Sequence, residues 1–162
     1  MYEKIWYEFI HYKSGDYYLV LYIDRIKLTR KIANISTLLL STTGILSWKI
    51  WVYLPAVTSS IIALIQAFRL IENELIPADK EVEKLYKLRE MYYEHSILLE
   101  NLFIDFRSDE ISEKEAKCSF FELREKTKEI KSFNNRTNIQ ISKILQNKAD
   151  KKTTDYIYQY HS

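Results

Sequence analysis

Between Lys31 and Arg69 the chain runs for 37 residues with one formal charge, Lys49, whereas the segments on either side interleave apolar and charged positions. As a single helix that block would be about 55 Å long, nearly twice the ~30 Å hydrocarbon core of a bilayer. The pattern therefore predicts two crossings, with charge-free windows at 32–48 and 50–68. The reversal falls at Trp48-Lys49-Ile50-Trp51, followed by Tyr53 and Pro55. Tryptophan and tyrosine favour the headgroup level, and proline suits the first turn of a second helix. Arg25, Lys27, Arg30 and Lys31 precede the first window and Arg69 follows the second. By the positive-inside rule both termini are then cytoplasmic and the expected location is the cell membrane.

Polarity inside the expected spans is uneven. At 100° per residue Asn34, Thr37 and Ser41 share one side of the first helix, and Ser59 and Gln66 fall with Ala56 and Ala63 on one side of the second. Two readings stand: small and polar residues let helices pack closely, or they line a wet path. One hairpin cannot enclose a pore, so the second reading makes Asn34, Thr37, Ser41, Ser59 and Gln66 pore-lining candidates in an oligomer.

The flanking segments read as helices. Ile5, Trp6, Phe9 and Ile10 give the first dozen residues an apolar face, Ser14-Gly15-Asp16 predicts a break, and a second helix starts at Asp16 and continues into the first span. After a stop at Pro77, the residues Leu85, Leu88, Tyr92, His95, Leu99, Leu102 and Phe106 recur at alternating spacings of three and four. That is the seam of a coiled coil, expected to join copies of the chain into a homo-oligomer, with a tetramer favoured. Ser112-Glu113-Lys114-Glu115 forms a capping box for a final helix running toward residue 147, weakened at Asn134-Asn135. The expected fold class is all-α: a two-span transmembrane hairpin whose long cytoplasmic helices form an oligomeric bundle. Its parts are N-terminal amphipathic helices (1–31), the hairpin (32–71), a cytoplasmic bundle (72–149) and a disordered tail (150–162).

Composition narrows the chemistry. Two glycines and two prolines argue against sheets and phosphate-binding loops, and a mean hydropathy of −0.28 conceals the apolar block. Cys118 is the one cysteine, and His11, His95 and His161 stand far apart, so metal sites and cofactors are not expected. No nucleophile-elbow or P-loop pattern occurs, and the chain is not expected to be an enzyme. Charge is divided: residues 79–115 carry six basic and eleven acidic side chains, a balance of −5, and residues 117–152 carry ten and four, a balance of +6. Either two helices pair through opposite charge, or Arg124, Lys126, Lys128, Lys131 and Arg136, with Asn134, Asn135 and Asn138, contact the phosphates and base edges of a nucleotide or oligonucleotide.

A basic helix from Asp16 to Lys31, two short spans with a brief turn, and a long helix carrying Leu85, Tyr92, Glu94 and Leu99 resemble the SLATT family over roughly residues 16–150. The family comprises two-span effectors of bacterial anti-phage systems, among them the Hailong type. The resemblance implies an ion channel or pore in the bacterial inner membrane that depolarises or permeabilises the cell in abortive infection. It also implies a neighbouring nucleotidyltransferase whose product controls the pore. A phage-type holin and a non-conducting membrane scaffold assembled through the coiled coil are the alternative readings.

Overall fold

The computed structural model describes residues 1–46, 60, 63, 66 and 77–161, without the side chains of 37 and 39–46. Four helices have defined ends: α1 (Tyr2–Leu46), α2 (Asp79–Arg107), α3 (Glu113–Asn135) and α4 (Lys143–Tyr160). Ser60, Ala63 and Gln66 are helical as well, and no strand occurs among the described residues. The chain divides into two compact units, residues 1–23 with 81–162, and residues 24–80.

In the first unit the helices exist because each carries one buried row. In α1 the row is Ile5, Phe9, Tyr12, Asp16, Leu19 and Ile23, at alternating steps of four and three. α2 answers with Leu85, Leu88, His95, Leu99 and Leu102 in the same rhythm. The two rows mesh antiparallel, with Trp6 against Phe103 (ring centroids 4.6 Å apart), Tyr12 against His95 (4.3 Å), and Asp16 Oδ1 accepting from Arg89 Nε at 3.0 Å. α3 buries Ala116, Phe120, Thr127 and Ile130, and α4 buries Leu145, Ala149 and Thr153. The seam expected to join copies of the chain therefore packs inside one chain.

Local signals account for the passage from α2 to α3. α2 stops at Arg107, and Asp109 takes a left-handed φ of 58°, which a short polar side chain tolerates. Ser112 then caps α3: its side chain accepts from the Glu115 backbone N–H, while the Glu115 carboxylate accepts from the Ser112 backbone N–H at 2.9 Å. The Ser112 hydroxyl also donates to that carboxylate, at 2.7 Å, and this bond together with the one from the Ser112 backbone N–H holds the Glu115 carboxyl below its usual range.

Three local expectations change. Ser14-Gly15-Asp16 does not end a helix; α1 passes straight through because tertiary partners hold all three residues. Ser14 donates to Asp150, Asp16 pairs with Arg89, and a Cβ on Gly15 would stand 2.4 Å from the Tyr92 ring. The expected final helix is two helices, separated by an irregular connection at 136–142 after the amide-rich end of α3. The expected tail is helical to Tyr160, its end anchored by Tyr156 and His161 on Glu100.

The larger correction concerns the membrane. No helix of the described residues is long and apolar enough to cross a bilayer. In the part of α1 expected to span, residues 32–46, Asn34, Ser36, Thr37, Ser41, Thr42, Thr43 and Gly44 make up seven of fifteen positions, and this dilutes the aliphatic side chains. This overturns the two-span hairpin, the pore and its membrane location, and with them the membrane-based alternatives of holin and anchored scaffold. Most of the second expected span, with the Trp48–Trp51 turn and Ser59, lies outside the described residues. Asn34 is exposed on α1, Thr37 and Ser41 belong to α1 with side chains outside the description, and Gln66 is helical and exposed. Within the second unit, Arg30 clasps the Pro77 carbonyl and, at 2.5 Å, Asp79.

Candidate functional site

In the four-helix unit a half-open cleft of about 710 Å³ lies between α1, α2 and the connection from α3 to α4. One wall is α1, with His11, Ser14, Gly15 and Tyr18; Tyr92 of α2 adjoins it. The absence of a side chain at Gly15 lets the Tyr92 ring lie directly on the α1 backbone. Burial raises the Tyr92 phenol above its usual pKa, so it stays a neutral hydroxyl across the physiological range.

The opposite wall is built by the end of α3. Arg136 caps that helix, its backbone N–H bonding the Phe133 carbonyl at 3.1 Å, and the chain then leaves helical geometry until Lys143. Two tyrosines of α1 fix this irregular stretch. The Tyr18 hydroxyl donates to the Gln140 carbonyl at 3.0 Å and accepts from the Ser142 N–H at 3.0 Å, and the Tyr22 hydroxyl accepts from the Gln140 N–H at 3.4 Å. The backbone polar groups of a non-helical segment need such partners. Thr137 turns inward and bonds the Phe133 carbonyl.

One acid bonds to two of the lining side chains from outside the cleft. Asp150 Oδ1 accepts from Ser14 Oγ at 2.7 Å and from Gln146 Nε2 at 2.8 Å. No acid lines the cleft itself. Asn134, Asn135, Arg136 and Asn138 line it, and none of their side chains makes a hydrogen bond or ion pair with another described residue.

Of the ligand candidates read from sequence, Asn135 and Arg136 come together here with Asn134 and Asn138. Arg124, Lys128 and Lys131 do not: they are exposed along α3, and Lys128 pairs with Glu125 one turn away. No ion pair links acidic α2 to basic α3 among the described residues, so the charge division is not expressed as direct pairing. The seam residues Leu85, Leu88, His95, Leu99 and Leu102 are core, with Phe106 half-buried beside Tyr2. Tyr92 alone of that row reaches the cleft. Sequence reasoning passed over Ser14, Tyr18 and Gln146, which shape the site from segments far apart in the chain; the one available signal was Gly15, a glycine inside a helical run. No group of residues able to hold a metal ion occurs among the described residues.

Comparisons with family models, with curated proteins and with solved structures return no match. The resemblance to the SLATT family is thereby corrected: no family model supports it, and the described helices do not supply the spans that define it.

Proposed function

We propose that the four-helix unit is a binding module for a small polar molecule, and that the cleft between α1, α2 and the 136–142 connection receives it. The observation that carries this reading is the convergence of Asn134, Asn135, Arg136 and Asn138, whose side chains have no partner among the described residues, on one cavity of about 710 Å³. Cavities of roughly 300–1,000 Å³ with a few convergent polar groups are the usual form of small-ligand sites. Beside the cleft the Ser14 hydroxyl donates a hydrogen bond to the Asp150 carboxylate, which also accepts from Gln146, so this pair holds the wall and the groups free for a ligand are those of Asn134, Asn135, Arg136 and Asn138.

The test is amide-resolved NMR of the labelled chain during titration with a panel of mononucleotides, sugar phosphates, sugars and amino acids at millimolar concentration. Shifts gathered on residues 11–19, 92 and 134–146 are expected for at least one compound. Shifts confined to other surfaces, or none across the panel, would overturn the reading.

A further inference from the structure

Resting on that reading of the cleft, we infer that its ligand is a nucleoside monophosphate, held by one phosphate on Arg136 and by its base against Tyr92 and the asparagine amides. The charge count sets the anion. Arg136 is the one fully charged residue in the lining, it has no carboxylate partner among the described residues, and the acid that bonds to the lining, Asp150, is engaged by Ser14 and Gln146. A guanidinium presents parallel donors that match a phosphate. One such group answers one phosphate, whereas Arg124, Lys128 and Lys131, which a polyphosphate or an oligonucleotide would need, lie along α3 away from the lining.

The remaining lining sets the other half of the molecule. Asn134, Asn135 and Asn138 each offer a donor and an acceptor on one planar group, the arrangement that meets the edge of a heterocyclic base. Tyr92, half-buried and pressed onto Gly15, supplies an aromatic surface whose position cannot relax toward α1. A sugar phosphate would use Arg136 and leave the tyrosine and most of the amides idle; a free base would leave the cation idle. A cavity of about 710 Å³ has room for a single nucleotide.

Calorimetric titration of the full chain with a nucleoside monophosphate, the corresponding nucleoside, ribose 5-phosphate and inorganic phosphate separates the two halves. The monophosphate should bind at least tenfold more tightly than any of the other three. Arg136→Ala should weaken the monophosphate by roughly tenfold to a hundredfold, the range of one charge-assisted hydrogen bond, and leave the nucleoside unchanged. Arg136→Lys, which keeps the charge and loses the paired donors, should fall between. Gly15→Ala, by forcing the Tyr92 ring toward the cleft, should weaken nucleoside and monophosphate alike; Tyr92→Leu provides the same readout without the added methyl group. Equal binding of ribose 5-phosphate and the monophosphate, or an Arg136→Ala variant that holds the monophosphate at full affinity, would overturn the inference. If all four probes fail while another compound shifts the cleft resonances, this ligand class is wrong and the cleft remains a site; if nothing shifts them, both readings fall.

Discussion

The two ends of the four-helix unit treat their polar groups in opposite ways. Near the start of α1 and the end of α4, Glu100 accepts from the Tyr156 hydroxyl at 2.8 Å and contacts His161 Nε2 at 2.7 Å. The rings of Trp6, Phe9 and Phe103 stand within about 6 Å of the His161 ring, and Lys13 Nζ lies 3.8 Å from the centre of Tyr156. Burial and Glu100 together raise the Tyr156 phenol above its usual pKa and keep it a donor. At the cleft, by contrast, three asparagines and an arginine gather whose side chains have no partner among the described residues. An unpaired polar group costs about 1–3 kcal/mol only where water cannot reach it. The closed end must therefore pair its groups to exist, while the open end can leave its groups idle, and idle donors around a cavity are what a ligand requires. Hydrogen bonding completed inside the chain marks structure here, and hydrogen bonding left over marks the site.

If the closed end holds the fold, its core should be the most sensitive place to disturb. Phe9 is fully buried between Trp6 and His161, and Phe9→Ala should lower the unfolding free energy by about 3–5 kcal/mol in urea denaturation. A loss below about 1 kcal/mol would show that this end does not carry the stability assigned to it.

Between the two ends His95 departs from the rule, because its ring is buried and its Nε2 has no hydrogen-bond partner among the described residues. Burial, aided by Lys126, lowers its pKa from 6.5 to about 4. The unfolded chain therefore binds a proton that the folded chain refuses, so this stability is complete above pH 6.5 and disappears as pH falls toward 4. The shift corresponds to about 3 kcal/mol. Denaturation midpoints measured from pH 7 down to pH 4 should fall steeply in the native chain, and His95→Leu should remove most of that slope. A slope unaffected by the substitution would assign the acid sensitivity to other groups.

Legibility in the sequence followed the range of the interaction. The seam from Leu85 to Phe106 and the capping box at Ser112 depend on residues within a turn or two, and the alternation of three and four made them readable. What the seam packs against was not readable, because its partner row in α1 hides Asp16 and Tyr12 among its aliphatics, and a buried acid resolves only when Arg89 is seen opposite. Gly15 illustrates the same point: in sequence it is a helix breaker, and in space it is the close approach of Tyr92. Near-absence of charge between 32 and 68, with Lys49 alone, was read as two spans with a polar side at Asn34, Thr37 and Ser41, although hydroxyls and an amide occupy much of the first half. At the cleft, Asn135 and Arg136 were legible as polar residues at a weak point of a helix. Ser14, Tyr18 and Gln146 were not, since the cleft joins them across more than a hundred residues.

A milder disturbance tests the pairing at the closed end directly. Glu100→Ala leaves the Tyr156 hydroxyl and the His161 ring without their acceptor, and should cost about 1–3 kcal/mol. Thermal unfolding followed by circular dichroism would register it, with increased fluorescence change at Trp6 if the end of α4 loosens. An unchanged melting curve would mean that water replaces the carboxylate freely and that this end is not closed.

The smallest effect on stability should come from the cleft, and that smallness is itself informative. Asn135 and Arg136 are exposed and without side-chain partners, so the double substitution Asn135→Ala with Arg136→Ala removes no internal hydrogen bond or ion pair. Surface changes of this kind stay within about 0.5 kcal/mol. The Arg136 backbone N–H still bonds the Phe133 carbonyl, and Tyr18 and Tyr22 still hold the connection through backbone atoms that the substitutions leave in place. A denaturation curve superimposable on that of the native chain, together with loss of ligand-induced shifts at residues 134–146, would separate recognition from folding at this end. A destabilisation above about 1 kcal/mol would instead make these side chains part of what closes the connection over α1. They would then be counted with Glu100 and Tyr156 as structural, and the contrast between the two ends would no longer hold.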